Sequence, residues 1–169
     1  MNNFTLFADR LFDGQNFLDN VRLTIFDGVI DALEVNVAIE QGDEHAQGLV
    51  VPGFIDLQVN GGGGALLNST PSLSGIKTIM AAHSMYGTTA MLPTLITDTI
   101  ETMALAADAI AQAIAEQSAG IVGVHFEGPH LSVAKKGAHS EEHIRPISEA
   151  EWQILSRKDI GQVLVTLAR

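Results

Sequence analysis

The chain has 169 residues, 46% of them hydrophobic, and a positive mean hydropathy, which suits a sizeable buried core and excludes wholesale disorder. Nine Lys and Arg against twenty Asp and Glu leave a net charge of −11, so neither nucleic acid nor a membrane surface is expected as a partner, although a local basic pocket could still take a small anion. There is no cysteine, which removes disulfides, thiolate nucleophiles and cysteine-rich zinc sites.

The opening MNNFTLFADR lacks a basic or apolar signal segment, and no apolar run approaches the roughly 20 residues of a membrane span. A cytoplasmic protein is expected. Residues 4–35 read as short strands, with turns at Asp13-Gly14 and Asp27-Gly28. Val21, Leu23 and Ile25 alternate with Arg22, Thr24 and Phe26 before the second turn, a hairpin pattern. Residues 36–48 are polar and acidic and read as a loop. A small antiparallel β unit is therefore expected over residues 1–50.

Beyond it the pattern changes. LVVPGFIDLQV (49–59) reads as one buried strand with Pro52 near its start. SLSGIKTIMAAHSMYG (72–87) predicts a helix capped by Gly87, and TTAMLPTL (88–95) the next strand. Residues 98–117 predict the clearest helix, with Asp98 and Glu101 at capping-box spacing and an apolar stripe through Met103, Ala107 and Ile110. GIVGVHFEG (120–128) is a third strand, Ser148 opens a short helix with Glu151 as its capping box, and QVLVTLA (162–168) is a fourth strand.

Strand–helix alternation of this kind means a parallel α/β sheet, either a (β/α) barrel or a doubly wound fold. A closed eight-stranded barrel takes about 250 residues, and residues 51–169 supply only four strands. A last strand without a following helix leaves an apolar edge. The chain is therefore expected to be a portion of a longer one.

In such folds chemistry sits at the carboxyl ends of the strands. The first strand ends in DLQVNGGGG, where Asp56, Gln58 and Asn60 share a face by period two. They read either as a polar site or as caps of the following loop. Gly61 to Gly64 lack both the GxGxxG spacing and a following Lys-Ser/Thr, which disfavours a nucleotide loop. Thr94, at the end of the second strand, has no assigned role.

The third strand ends in HFEGPH, with His125 and Glu127 on one face. Glu127 reads as a metal ligand or as the partner of Lys135 or Lys136; His125 reads as a ligand or a satisfied core histidine. Zinc catalysis wants three protein ligands and a water. The segment KKGAHSEEHIRP gathers Lys135, Lys136, His139, His143 and Arg145, a solvated loop or a lid over an anionic or sugar substrate. His45, in the loop, and His83, on a helix, read as structural or surface residues.

Taken in order and spacing, VPGFIDLQVNGGGG, TAMLPTLIT, VGVHFEGPHL and KKGAH resemble the N-acetylglucosamine-6-phosphate deacetylases of the amidohydrolase superfamily. The resemblance implies the N-terminal half of a metal-dependent-hydrolase (β/α)8 TIM-type barrel over 51–169, its first four strand/helix units, preceded by a partial small β-sandwich domain over 1–50. Gln58 and Asn60 stand where the superfamily usually carries His-x-His, which implies one divalent metal rather than two. Zinc is the first expectation, with iron, cobalt or manganese as alternatives.

By resemblance, Glu127 is the metal-bound carboxylate, Gln58 lies near the metal-bound water, Ala138 and His139 contact the sugar, and Asn60 and His125 support the site. Two histidine ligands and an aspartate general acid/base are expected beyond residue 169, so no catalytic acid/base is assigned in this chain. The implied substrate is a small amino-sugar phosphate, and the implied full-length form is a homodimer. VTLAR departs from the family, which has Pro-Glu there, so Arg169 is assigned no role. The alternatives are a non-catalytic half-barrel binding module and another amidohydrolase such as a dihydroorotase-like enzyme, which Gln-x-Asn disfavours.

Overall fold

The computed structural model describes residues 3–168; Arg169 lies outside the described residues. The chain divides into two compact units, one through Pro52 and one from Gly53.

The first unit is a four-stranded sheet of β1 (Phe4–Phe12), β2 (Phe17–Phe26), β3 (Val29–Glu34) and β4 (Glu44–Val50), in the order β3-β2-β1-β4. Asp27 and Gly28 both adopt positive φ, +53° and +79°, the twist that a two-residue hairpin between β2 and β3 requires. Two sequence expectations fail here. The 36–48 segment is not all loop, because β4 begins at Glu44, and the unit is not purely antiparallel, because β4 runs parallel to β1. Backbone pairing of Glu44 to Ala46 with Leu6 to Ala8 needs no apolar side chains, so a polar segment concealed a strand. His45 therefore sits on a strand, with Nε2 2.7 Å from Asp9 Oδ1.

Leu11, Val21 and Leu23 form the small core of this sheet, while Phe17, Phe26, Val29 and Ile30 are exposed. The buried Arg22 is held by Asp43, to which its Nε donates at 3.1 Å, and by the Ala38 carbonyl at 2.8 Å. Asp43 lies below the usual carboxylate range, chiefly because the Glu40 backbone N–H and the Thr5 hydroxyl donate to it.

The second unit begins where the expected 49–59 strand breaks. Residues 51–53 carry no strand, and β5 (Phe54–Val59) joins a new sheet. Pro52 thus marks a link and not the interior of a strand, as its missing N–H favours. After β5 the glycine run makes a minimal hairpin of β6 (Gly61–Gly62) and β7 (Ala65–Leu66), turning on Gly63 and Gly64 at φ +60° and +86°. The fourfold glycine is a turn in this structure.

Then follow α1 (Leu73–Ser84), β8 (Thr88–Ile96), α2 (Ile100–Ala115), β9 (Gly123–Glu127), α3 (Glu149–Leu155) and β10 (Gln162–Thr166). The large sheet is parallel with the order β10-β9-β8-β5. Each strand neighbours its predecessor in the sheet, without the reversal that defines a doubly wound fold.

Helices α1 and α2 pack against this sheet through Ile76, Ile79, Met103, Ala107 and Ile110, onto Met91, Leu95, Val124 and Phe126. This cluster is the apolar core of the unit, and burial of such side chains stabilises by about 25 cal/mol per Å² of apolar area removed from water. α1 ends at Ser84, three residues before Gly87, whose φ of +95° belongs to the turn that follows. α2 is capped by Thr99, whose Oγ1 accepts from the Thr102 N–H at 3.2 Å, and not by the Asp98/Glu101 pair. The Asp98 carboxylate is occupied elsewhere, by Asn68 Nδ2 and the Thr99 N–H, both at 2.7 Å.

The capping box of Ser148 and Glu151 forms as expected. β5, however, is not a buried strand: it lies at the sheet edge, with Phe54, Ile55 and Leu57 between 55% and 67% exposed. No helix among the described residues is long and apolar enough to cross a membrane.

Candidate active site

The carboxyl ends of β5, β8, β9 and β10 meet at a cleft of about 560 Å³, bordered by Asn60, Glu127, Lys135, Lys136, Ala138 and His139 among others. Glu127 is the last residue of β9, and the parallel pairing of Ile96 with Glu127 and of Glu127 with Thr166 sets it level with both neighbouring strand ends. Gly128 turns the chain away at φ +85°, where any side chain would collide with Thr97 Oγ1.

The Glu127 carboxylate has two partners. Gln58 Nε2 donates to Oε2 at 3.0 Å, and His139 Nε2 lies 3.7 Å from Oε1. Neither Lys135 nor Lys136 forms an ion pair with it among the described residues; Lys136 Nζ instead donates to the His139 carbonyl at 3.3 Å. The lysine-paired reading of Glu127 is thereby set aside. One carboxylate oxygen is held by a neutral amide while the side chain stays 20% exposed to the cleft. A carboxylate in that setting is costly unless a cation or proton donor joins it.

His125 is different. It is 3% exposed, with Nε2 2.8 Å from Thr166 Oγ1 and Nδ1 3.4 Å from Thr94 Oγ1. Thr94 also accepts the Val59 N–H at 2.9 Å, so this histidine and threonine tie β5, β8, β9 and β10 together beneath the cleft. Burial holds the His125 imidazole below its usual range, partly offset by the Glu127 carboxylate. Both ring nitrogens face hydroxyls, the arrangement of a satisfied core histidine. His83 likewise is structural, with Nε2 3.0 Å from the Gly61 carbonyl.

The 130–148 segment is anchored by Arg145. Its Nε donates to Glu151 at 2.6 Å, and its Nη1 to the carbonyls of Asp98 and His143 at 2.9 and 2.7 Å. Sequence reading grouped Arg145 with the cleft cations; the structure commits it to the protein and leaves Lys135 and Lys136 at the cleft. Thr97 went unnoticed in the sequence. It is 4% exposed, and its Oγ1 lies 2.8 Å from His139 Nδ1 and 3.4 Å from the Glu127 carbonyl oxygen. A hydroxyl one residue past the end of a parallel strand was the available signal.

As a metal site these residues are incomplete. Glu127 supplies a carboxylate and Gln58 a neutral amide, but no group of three His, Cys, Asp or Glu able to hold an ion occurs among the described residues. Catalytic zinc takes three protein ligands, so the arrangement fits one ligand of a metal centre and not the whole of it.

The family model described as the amidohydrolase family matches residues 49–168, and the chain belongs to that family, whose members are generally metal-dependent. Among curated relatives, it is 46% identical to an N-acetylgalactosamine-6-phosphate deacetylase of Shewanella sp. (strain ANA-3), over 98% of this chain and 44% of that one. It is 35% identical to an N-acetylglucosamine-6-phosphate deacetylase of Haemophilus influenzae, over 73% of this chain and 32% of that one. The crystal structure of N-acetylglucosamine-6-phosphate deacetylase from Pasteurella multocida superimposes with a TM-score of 0.86 at 30% identity, covering 97% of this chain and 45% of that one. The chain thus spans less than half the length of these relatives.

Proposed function

We propose that these residues are the N-terminal portion of an enzyme that hydrolyses the acetamide of N-acetylglucosamine 6-phosphate to glucosamine 6-phosphate and acetate. Water adds its oxygen to the acetyl carbon, the C–N bond breaks, and the amine takes up the proton. The observation that carries this reading is Glu127 at the mouth of the parallel sheet, held by Gln58 at 3.0 Å in a cleft shared with His139. Two lysines border the same cleft, which favours an anionic substrate in an otherwise acidic protein.

Glu127 serves as one ligand to a single divalent ion, zinc first among the candidates, whose other ligands lie outside this chain together with the aspartate acid/base. Gln58 stands beside the attacking water, and Ala138 and His139 face the sugar. Residues 1–50 are part of a small β-sandwich and residues 51–169 the first four units of a (β/α)8 barrel, in a cytoplasmic homodimer. The in-order parallel strands support the barrel reading.

A second reading of the substrate, the C4 epimer N-acetylgalactosamine 6-phosphate, is favoured by the 46% identity to a deacetylase named for it. Acetate release by the full-length protein, assayed on both sugar phosphates, tests both readings. Turnover of at least one epimer is expected, and the higher kcat/KM names the substrate. The isolated 169-residue chain is expected to release none. Failure of the metal-loaded full-length protein on both epimers overturns the function, and turnover by the isolated chain overturns the assignment of essential groups outside it.

A further inference from the structure

We infer that Thr97 is a positioning residue that sets the orientation of the His139 imidazole in the cleft; its consequence for the sugar phosphate rests on the function proposed above. His139 lies on a segment without regular secondary structure between two single turns of 3-10 helix, Val133–Lys135 and Glu141–His143. Its backbone N–H is tied to the Lys136 carbonyl at 3.0 Å, which leaves the orientation of the ring to side-chain contacts.

Thr97 is placed differently. It follows directly on β8, whose register with β9 is set by backbone pairing up to Ile96 and Glu127. It is 4% exposed, and its hydroxyl packs over Gly128. From this rigid base Oγ1 meets His139 Nδ1 at 2.8 Å, and the opposite ring nitrogen, Nε2, turns toward Glu127 Oε1 at 3.7 Å. The same hydroxyl lies 3.4 Å from the Glu127 carbonyl. One buried oxygen thereby touches both His139 and Glu127 at the cleft, and a side chain on a loop inherits the precision of a strand end.

Only Thr or Ser meets this need. Valine keeps the branched shape and removes the hydroxyl; serine keeps the hydroxyl and removes the methyl. In the full-length enzyme, Thr97→Val is expected to raise KM for the preferred sugar phosphate about fivefold to tenfold, the worth of one hydrogen bond held in both ground and transition states. Its kcat should change much less and its bound metal not at all. Thr97→Ser is expected to stay within about twofold of wild type on the same argument. In a His139→Ala background, Thr97→Val should add little to KM, because the 2.8 Å contact to the ring is already gone and only the longer 3.4 Å contact to the Glu127 carbonyl is left to lose.

Crystal structures of the variants read the positioning without any turnover: the His139 ring should leave its place in Thr97→Val and keep it in Thr97→Ser. Thr97→Ala serves as the hydroxyl-free variant if valine prevents folding. A His139 ring unmoved without the hydroxyl overturns the inference, as does a serine variant as impaired as the valine one, or full additivity with His139→Ala. A wild-type enzyme inactive on both epimers overturns the proposed substrate and leaves the ring orientation to decide the role of Thr97.

Discussion

Glu127→Gln in the full-length protein is expected to abolish most of its bound divalent metal and to lower acetate release by about a thousandfold. The substitution preserves size and leaves an amide oxygen that still accepts from Gln58 Nε2, now at 3.0 Å from the carboxylate. What disappears is the negative charge. Under the proposed role, Glu127 would hold a divalent ion that supplies several kcal/mol of transition-state stabilisation, about three orders of magnitude in rate, and a neutral amide in its place would hold that ion more weakly. Metal analysis and steady-state kinetics on the same preparation check the result. Full metal content with full turnover would show that Glu127 is a positioning group for His139 or Gln58 and no ligand.

The second large effect concerns stability. Glu151→Ala is expected to destabilise the protein by about 2–3 kcal/mol, measured from urea unfolding midpoints. Glu151 is 1% exposed and accepts from Arg145 Nε at 2.6 Å, from the Ser148 N–H at 2.8 Å and from the Ser148 hydroxyl at 2.7 Å. Truncation opens the cap of α3 and strips the Arg145 guanidinium, itself bonded to the Asp98 and His143 carbonyls, of its counter-charge. The exposed part of Arg145 keeps the cost below that of a fully buried pair.

The pH dependence has a definite sign. Burial raises the Glu151 carboxyl, but the hydrogen bonds from Ser148 and then from Arg145 outweigh it and hold the group below its ordinary 4.5. A carboxyl lowered by folding contributes stability above its unfolded value and loses it as pH falls through the folded one. The difference between wild type and Glu151→Ala should therefore be full at neutral pH and shrink as the pH drops below 4.5. A difference that grows on acidification would contradict the assignment.

Much of the architecture could be read from local pattern. The Asp-Gly hairpin, the apolar stripe of α2 and the Ser148 capping box are short-range features whose physics is complete within a few residues, and each appears where expected. The departures occur where distant residues decide. β4 is polar and forms through backbone pairing with β1, which hydropathy does not register. Thr99 took the cap of α2 because Asn68, thirty residues before Asp98, engages the carboxylate that would have served. The hydrophobicity of β5 suggested burial, but on this edge strand only Val59 joins the core, and Phe54, Ile55 and Leu57 stay exposed.

The site divides in the same way. Alternation along a strand placed Glu127 and His125 on one face, and strand ends directed attention to Gln58 and Asn60. Spacing could not reveal that Gln58 reaches across 69 positions to Glu127, or that Arg145 is spent on Glu151 while Lys135 and Lys136 stay at the cleft. Thr97 remained hidden for the same reason. A hydroxyl after a strand is common in sequences, and only the fold brings it to the His139 ring.

Anomalous diffraction from crystals of the full-length protein grown with zinc addresses the central assignment most directly. A metal peak bonded to the Glu127 carboxylate is expected, with the Gln58 amide beside it. A Glu127 side chain turned onto the ammonium of Lys135 or Lys136, with no ion at the end of β9, would contradict it.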